Sequence, residues 1–231
     1  MATPQSKLLP QPPAPAPRYT PEEYLRLERE AEERHEYLDG QIYAMAGESP
    51  QHADVSADLT ISIGIQLRGT RCRVRIKDTK VRSGPLPYHP RKVKGLFSYP
   101  DAVVICGEPT YLDEHRDVVT NPTAIFEVLS PSTEALDRHL KFQRYDKWNA
   151  TLSDYLLVWQ SAHVVEHYQR QADGGWLYHR YEGLEQRVPL ENIGCTLSLA
   201  ELYDRVVFPP DETELPDAEE AAEEAGEEAA E

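Results

Sequence analysis

The chain has 231 residues, of which 40% are hydrophobic, and its 24 basic and 40 acidic residues give a formal net charge of −16. The last 21 residues hold 11 of those acids and no Lys or Arg, so the rest of the chain carries a net charge of only −5. The acidity therefore does not exclude a nucleic-acid partner for the rest of the chain. No apolar run reaches the ~20 residues that span a bilayer, so no membrane association is expected.

The composition changes along the chain predict one domain between two terminal segments. Residues 1–17 contain six prolines, which is typical of an extended leader. The C-terminal segment is rich in Glu and Ala, but its acids repel one another and it has no apolar stripe with which to dock. We therefore predict a disordered leader over residues 1–18, one domain over 19–208 and a disordered acidic tail over 209–231.

The three cysteines indicate the redox environment. Cys72, Cys106 and Cys195 are few, widely spaced and odd in number, and none belongs to a CxxC pair. This spacing predicts neither a disulfide framework nor a zinc site. It favours a reducing, cytoplasmic location.

In chain order, the domain begins with a helix over residues 20–38. Thr20 supplies an N-cap, Pro21 occupies the first helical position, and apolar residues follow at helical spacing. The dipeptide at residues 39–40 is Asp-Gly, which predicts a turn. Residues 41–46 then predict a strand.

The remaining elements alternate between helices and strands. Residues 50–67 predict a second helix from their apolar spacing, and residues 82–98 predict a loop because prolines and glycines cluster near their start. Short apolar or alternating runs predict strands over residues 72–81, 102–106, 123–129, 155–159, 164–169 and 176–181. Further helices are predicted over 132–148 and 197–203. This order favours an α/β fold in which helices flank a mixed sheet.

Two acids interrupt apolar strand segments. Asp101 immediately precedes the run at 102–106, and Glu127 lies inside the run at 123–129. Ionised carboxylates are rarely buried unless they are paired or bind a metal. If the two strands are neighbours, the acids predict a site for a hard divalent cation such as Mg²⁺. The alternative is that each acid caps a strand end or pairs with an arginine.

Two further charged residues are candidates for the same site. Glu36 lies near the predicted end of the first helix, where charged residues are also common without a function. Lys141 lies on the helix after the Glu127 strand, and an ammonium group there can orient an attacking water and offset developing charge. The alternative for Lys141 is an ion pair with Asp137, four residues earlier on the helix.

Residues 68–94 form a basic segment of ten bases and one acid, with a net charge of +9. Four of the bases alternate along one predicted strand and therefore share a face. Such a face predicts contacts with the phosphate backbone of DNA; the alternative is an edge strand that its charges protect from aggregation. The predicted DNA contacts are Arg71, Arg73, Arg75, Lys77, Lys80 and Arg82.

Taken together, these motifs resemble the Uma-two family of restriction endonucleases, within the PD-(D/E)XK nuclease superfamily. The resemblance spans roughly residues 19–207, and the EVLSPST run is its most specific part. The matching segments are EYLDG at 36–40, His52, PDAVV at 100–104, EVLSPST at 127–133, KFQRY at 141–145 and YLLV at 155–158.

The resemblance implies a fold, a reaction and a metal site. The fold is a three-layer α/β/α restriction-endonuclease-like core with a mixed β-sheet. The reaction is cleavage of phosphodiester bonds with Mg²⁺, or with Mn²⁺ as an alternative ion. Asp101 and Glu127 are implied metal ligands, and Glu36 is implied to assist them.

The resemblance also implies how the chain compensates for a missing lysine. The superfamily motif places a lysine two residues after Glu127, but this position is Leu129. Members of the family similar to this chain have a lysine on the following helix, which is Lys141 here. Tyr145 is expected to position Lys141, and His52 is a supporting residue.

We therefore expect a Mg²⁺-dependent endodeoxyribonuclease in which water displaces the 3′-oxygen and leaves a 5′-phosphate. DNA is the expected partner, and a homodimer is expected because duplex cleavage often uses two active sites. The acidic tail is expected to compete with DNA for the basic face. Two alternatives stay open: a catalytically inactive nucleic-acid-binding or protein-interaction module on the same fold, and a metallohydrolase of small phosphate esters.

Overall fold

The computed structural model of the chain describes residues 17–45, 47–76 and 78–208. The predicted acidic tail, most of the predicted leader and Lys77 lie outside the described residues. The secondary-structure elements fall within the predicted 19–208 domain, whose outer boundaries stay a prediction. No helix in the described part combines the length and apolar composition needed to cross a lipid bilayer.

The described part of the chain folds into short helices and many strands. The helices are α1 (Pro21–Glu30), α2 (Pro50–Gln66), α3 (Phe142–Trp148) and α4 (Leu199–Leu202), with a π-helical turn at Leu136–Lys141 and a 3₁₀ turn at Glu191–Ile193. The strands are β1 (His35–Leu38), β2 (Gln41–Ala44), β3 (Cys72–Ile76), β4 (Lys80–Ser83), β5 (Leu96–Ser98), β6 (Ala102–Cys106), β7 (Val118–Val119), β8 (Ala124–Leu129), β9 (Asp154–Trp159), β10 (Val164–Arg170), β11 (Trp176–Glu182), β12 (Arg187–Leu190) and β13 (Cys195–Ser198).

The strands form two mixed sheets and one small hairpin. The central six-stranded sheet has the order β11-β10-β9-β8-β6-β3, in which only the β8–β9 pair is parallel. The five-stranded sheet has the order β2-β1-β5-β4-β7, in which only the β4–β7 pair is parallel. Strands β12 and β13 pair separately. The expected α/β fold with mixed sheets is therefore confirmed.

The central sheet is covered on both faces. On one face, Leu59 and Ile63 of α2 pack with Leu197 of β13 and Leu202 of α4 into an apolar core. On the other face, Tyr145 of α3 packs with buried residues of β4 and β5 into a second core. Since β8 lies between these layers and is buried along its whole length, any charged residue on it must find its partners inside the protein.

The first helix ends earlier than predicted, and this changes the position of Glu36. Thr20 caps α1 through a reciprocal pair of hydrogen bonds with Glu23, as expected. Asp39 and Gly40, with φ values of 47° and 98°, then form a two-residue hairpin turn between β1 and β2. The hairpin requires an extended chain before the turn, so Glu36 lies on strand β1 and not at a helix end.

Three other predicted boundaries differ from the structure. The run at 72–81 is not one strand but β3 followed by β4, which belong to different sheets. The predicted loop at 82–98 ends in β5, and the predicted helix at 132–148 begins only at residue 134, after a turn at 131–133. These elements are short, and contacts distant in sequence determine their pairing.

The cysteines also differ from the expectation. Cys72 and Cys106 lie opposite each other in the antiparallel register of β3 and β6, and they form a disulfide. Cys195 is free and buried. The bonded pair is 34 residues apart in sequence, so spacing alone gives no sign of it. The cysteine pattern therefore no longer supports a reducing location.

Candidate active site

The predicted catalytic side chains line one cavity of about 460 Å³. The cavity lies where β6 begins and β8 ends, and its walls come from β1, α2, the turn after β8 and the π-helical turn. Five predicted site residues face it, which are Glu36, His52, Asp101, Glu127 and Lys141. Segments distant in sequence thus bring the predicted charged residues together.

Strand pairing explains why the two strand acids are neighbours. Strands β6 and β8 are antiparallel, with Ala102 opposite Phe126. One further step in this register sets Asp101 opposite Glu127. Directly opposed side chains of antiparallel strands lie on the same face of the sheet. The predicted metal site required the strands of Asp101 and Glu127 to be neighbours, and β6 and β8 are neighbours.

Asp101 is held by two different parts of the fold. Its Oδ2 accepts a hydrogen bond from the backbone N–H of Val128 at 2.6 Å. Its Oδ1 lies 2.8 Å from Nε2 of His52, in the first turn of α2. Strand β8 and helix α2 together thus orient the carboxylate. The contacts described for Asp101 are with Val128 and His52, and not with an arginine, which was one alternative to a metal site.

Lys141 is the centre of a buried group of acids. Its Nζ lies 2.9 Å from Oε1 of Glu36, 2.9 Å from Oδ1 of Asp137 and 3.6 Å from Oε1 of Glu127. All four side chains are buried. The ion pair with Asp137, considered as the alternative to a functional role, is present, and the lysine also reaches two predicted metal ligands.

The π-helical turn supplies both Lys141 and Asp137. Single π-turns inserted before an α-helix are rare and occur frequently at functional sites. The turn begins just after the Ser-Pro-Ser-Thr run and leads directly into α3. It therefore connects the end of β8, with Glu127, to the lysine that faces it.

Burial and mutual repulsion determine the protonation of this group. Burial raises the pKa of Glu127 well above its ordinary value; Lys141 opposes the rise, and the acids Asp137, Glu36 and Asp101 add to it. Burial alone would lower the pKa of Lys141, but the three neighbouring carboxylates raise it well above its usual range. The lysine therefore stays charged.

The cavity can accommodate a cation. Five carboxyl groups line it, from Glu36, Glu48, Asp101, Glu127 and Asp137, together with the positive charges of Lys141 and Arg34. The acids thus outnumber the bases, and carboxylate oxygens are the ligands that Mg²⁺ prefers. The donors fit the divalent ion that the resemblance implies.

Tyr145 acts on Glu127 in the structure. Its buried hydroxyl donates a hydrogen bond to Oε1 of Glu127 at 3.0 Å and lies 2.7 Å from Oγ of Ser98. Burial, with a further contribution from Glu127, raises the pKa of this phenol, so the hydroxyl keeps its proton and remains a donor. Tyr145 also interacts electrostatically with Lys141, and both residues share a contact with Glu127.

Three of the predicted DNA contacts remain available, two on β3 and one, Arg71, immediately before it. Arg71 and Arg73 are exposed, and Arg75 is partly buried, with its guanidinium 5.6 Å from the centre of the Tyr111 ring. Arg73 and Arg75 lie opposite Ile105 and Val103 of β6, so Arg75 is the nearer of the two to Asp101 along the sheet. Lys77 lies outside the described residues.

Lys80 and Arg82 do not belong to this surface. Lys80 is buried, with Nζ 3.2 Å from Asp117 and 3.1 Å from the hydroxyl of Tyr99. Arg82 is also buried and donates to the carbonyl of Pro85 at 2.8 Å. The expectation of phosphate contacts is corrected for both residues, because the basic segment divides between two sheets and their charged groups are occupied within the protein.

The cavity also contains polar residues that sequence reasoning did not select. Glu48 and Arg34 lie at its rim, and the turn after β8 adds Ser130, Ser132 and Thr133. The Ser130 hydroxyl lies 3.0 Å from that of Ser132 and 2.9 Å from that of Thr133. The serine-rich run was a visible signal, but only the folded turn shows that it faces the acids.

Comparisons with known proteins identify the family of the chain. A family model described as "Uma2: Putative restriction endonuclease" matches residues 21–200. The "Uncharacterized protein slr1290" of Synechocystis sp. is 36% identical over 85% of this chain and 97% of its own length. The "Uncharacterized protein sll1609" of the same organism is 32% identical over 68% of this chain and 84% of its own length.

A solved structure among those that match shares the fold. It is the crystal structure of "a putative nuclease belonging to DUF820" from Anabaena variabilis, with a TM-score of 0.65. The similarity covers 82% of this chain and 99% of that one, at 17% sequence identity. At this identity the likeness concerns the fold.

Proposed function

Because the chain belongs to the Uma2 family, we propose that it is a metal-dependent endonuclease that hydrolyses phosphodiester bonds in DNA. The observation that most supports this proposal is the convergence of Glu36, Asp101, Glu127 and Lys141 on one cavity. Three carboxylates beside a charged lysine form a constellation suited to phosphoryl chemistry. The fold alone would not justify a function; the site does.

We propose that Asp101 and Glu127 hold Mg²⁺, or alternatively Mn²⁺, and that Glu36 supports them. When bound, the ion supplies charge neutralisation at the phosphate and a more acidic water. The protein's own contribution is orientation. The Val128 N–H fixes Asp101, and the Tyr145 hydroxyl fixes Glu127, so neither carboxylate must be ordered when the ion arrives.

Lys141 has a role distinct from that of a base. Its contacts with three carboxylates keep the ammonium charged, so it donates hydrogen bonds and does not remove protons. In the proposed reaction it orients the attacking water and offsets the negative charge that develops on the phosphate. This is the contribution that the superfamily motif assigns to the position now occupied by Leu129.

The DNA backbone has two sets of contacts available. At the cavity, Arg34 and the hydroxyl-rich turn after β8 offer donors to phosphate oxygens. Further away, Arg71, Arg73 and Arg75 cover about 14 Å at the usual strand rise, which corresponds to about four nucleotide steps along one DNA strand. The arrangement favours a polymer over a small phosphate ester, since a small ester would use only the cavity.

A homodimer and a cytoplasmic location complete the proposal. Two copies of the chain would supply one cavity for each strand of a duplex, and sedimentation equilibrium of the purified protein measures this directly. A DNA substrate fits a cytoplasmic location. The function itself does not depend on either statement.

The substrate class is tested with three substrates under the same conditions. Wild-type protein with Mg²⁺ is expected to cut supercoiled plasmid, to cut RNA poorly and to leave a chromogenic phosphodiester almost unchanged. EDTA is expected to stop all cleavage. Faster turnover of the small ester than of plasmid would contradict the DNA assignment. Plasmid binding without cleavage would favour the inactive binding module.

A further inference from the structure

We propose that Glu48, His52 and Asp101 form a second metal position at the rim of the cavity, one that takes a transition-metal ion such as Mn²⁺ in preference to Mg²⁺. The position shares Asp101 with the proposed active site and depends on no other part of the proposed function. Its donor set is one imidazole nitrogen and two carboxylate oxygens.

The distances fit coordination of one ion. The three ligand atoms all lie within 4.8 Å of one another, and His52 Nε2 lies 2.8 Å from Asp101 Oδ1. Two ligand atoms at about 2.1 Å from one octahedral ion lie about 3 Å apart in cis and about 4.2 Å apart in trans. The His52–Asp101 pair has a separation close to cis spacing, and binding of an ion there would replace the proton that Nε2 donates to Oδ1. Glu48 supplies the third ligand atom from the exposed side of the position.

The fold positions the three ligands on separate supports. Ser49 caps α2 by accepting a hydrogen bond from the backbone N–H of His52 at 3.1 Å, which places His52 in the first turn and Glu48 just before it. Asp101 is fixed by Val128 of the central sheet through its other oxygen, Oδ2. Oδ1 therefore faces the imidazole. A carboxylate between two metal positions can be a ligand to an ion in each of them.

The nitrogen donor determines which ions are preferred. Mg²⁺ favours oxygen ligands in a near-ideal octahedron and gives up its water reluctantly. Imidazole suits first-row transition metals, whose affinities for mixed nitrogen and oxygen sites are higher. Glu36, Glu127 and Asp101 offer only oxygen ligands. The cavity therefore contains one set of ligands with oxygen alone and a second set, at the rim, that includes the imidazole nitrogen of His52. The rim position is the one that distinguishes Mn²⁺ from Mg²⁺.

The test measures Mn²⁺ bound to the full chain by electron paramagnetic resonance, in excess Mg²⁺ that fills the all-oxygen site. Wild-type protein is expected to retain one Mn²⁺ per chain. His52→Ala is expected to weaken this binding at least about tenfold. Glu48→Gln, which keeps the shape of an exposed side chain, is also expected to weaken Mn²⁺ binding, with the fold checked by circular dichroism.

The matched control is His115→Ala. His115 also pairs with a carboxylate, with its Nδ1 3.3 Å from Asp113, but this pair lies at the surface outside the cavity, and its removal is expected to leave Mn²⁺ binding unchanged. Equal Mn²⁺ affinity in wild type, His52→Ala and Glu48→Gln would overturn the rim position, whether or not the protein cuts DNA. Mn²⁺ binding that depends on His52 in a protein that cuts no DNA would uphold the position and refute the endonuclease.

Discussion

Lys141 occupies a position that would serve both the structure and the proposed chemistry. An ammonium group that is 4% exposed is costly to bury unless acids surround it, and Glu36, Asp137 and Glu127 do so. The same acids need the lysine, because without it their buried charges would repel one another. An ion pair on the helix and a catalytic lysine are therefore not competing interpretations of this residue.

This arrangement predicts a double effect for Lys141→Met. Loss of the ammonium leaves three buried carboxylates uncompensated, so the free energy of unfolding is expected to fall by about 3–5 kcal/mol in urea titrations without metal. The affinity for Mg²⁺, measured by calorimetry, is expected to rise because the ion replaces the lost positive charge. Plasmid cleavage is expected to fall at least about 100-fold.

Leu140→Met is the control, because Leu140 is the adjacent residue and its side chain is 42% exposed. Unchanged stability in Lys141→Met would show that the lysine does not hold the acids together. Cleavage at the wild-type rate would show that it has no part in the chemistry.

At the scale of elements, the sequence predicts the buried strands of the site better than the strand that carries Glu36. The strands of Asp101 and Glu127 are continuous apolar runs, which only a central sheet accommodates, and their boundaries agree closely with β6 and β8. The residues before Asp39 instead continue the pattern of α1. Their strand conformation depends on the hairpin turn and on pairing with β5, some 60 residues away.

The resemblance predicts that the main charged residues of the site lie together. It does not predict the other polar residues that line the cavity. Asp137, Glu48 and the hydroxyls after β8 are polar residues of common types, and no local pattern reveals that they face the acids. The separation of Lys80 and Arg82 from the β3 arginines is equally invisible, because adjacent residues in sequence enter different sheets. Long-range pairing, which local patterns do not contain, decides each of these cases.

Two glycine substitutions test whether the β1–β2 turn supports the site. Gly40 has φ of 98°, and an added Cβ would lie 3.4 Å from the Arg18 side chain, so Gly40→Ala is expected to cost about 1–2 kcal/mol. It is also expected to slow cleavage, since the turn holds the strand of Glu36. Gly64→Ala, in the interior of α2 with an ordinary 3.5 Å contact to Val74, is expected to stabilise the protein by about 0.5–1 kcal/mol.

Urea unfolding of both variants measures these opposite changes. A stable, fully active Gly40→Ala protein would show that the left-handed turn is dispensable for the position of Glu36. The Gly64 variant serves as the matched control, since it adds the same methyl group away from the turn.

For the whole molecule, the net charge of −16 is the sum of unlike regions. The β3 arginines form a basic stretch, the cavity is acidic, and the segment after the described residues is strongly acidic. The chain leaves the described part close to the cavity, because the carbonyl of Val207 accepts a hydrogen bond from the side chain of Gln51 at 3.3 Å, and Gln51 adjoins His52. An acidic segment beginning there can repel DNA or occupy the basic face.

Neutralising the 11 acids of residues 211–231 to Asn and Gln, in the full-length chain, is therefore expected to tighten DNA binding. The gain is expected to be largest at low ionic strength and to vanish as salt screens the charges. Fluorescence anisotropy with a labelled duplex across a salt series measures it. A variant with tail alanines changed to serine keeps the charge and is the control; equal affinities at every salt concentration would remove any electrostatic role of the tail.

The proposed endonuclease requires that Glu127, brought opposite Asp101 by the β6–β8 pairing, hold the catalytic metal ion. The most direct measurement is Mg²⁺-dependent cleavage of supercoiled plasmid by wild type, Glu127→Gln and the exposed control Glu201→Gln, each verified as folded by circular dichroism. Wild type and the control are expected to cut equally, and Glu127→Gln at least about 100-fold more slowly. A folded Glu127→Gln protein that cuts plasmid as fast as wild type would contradict the account.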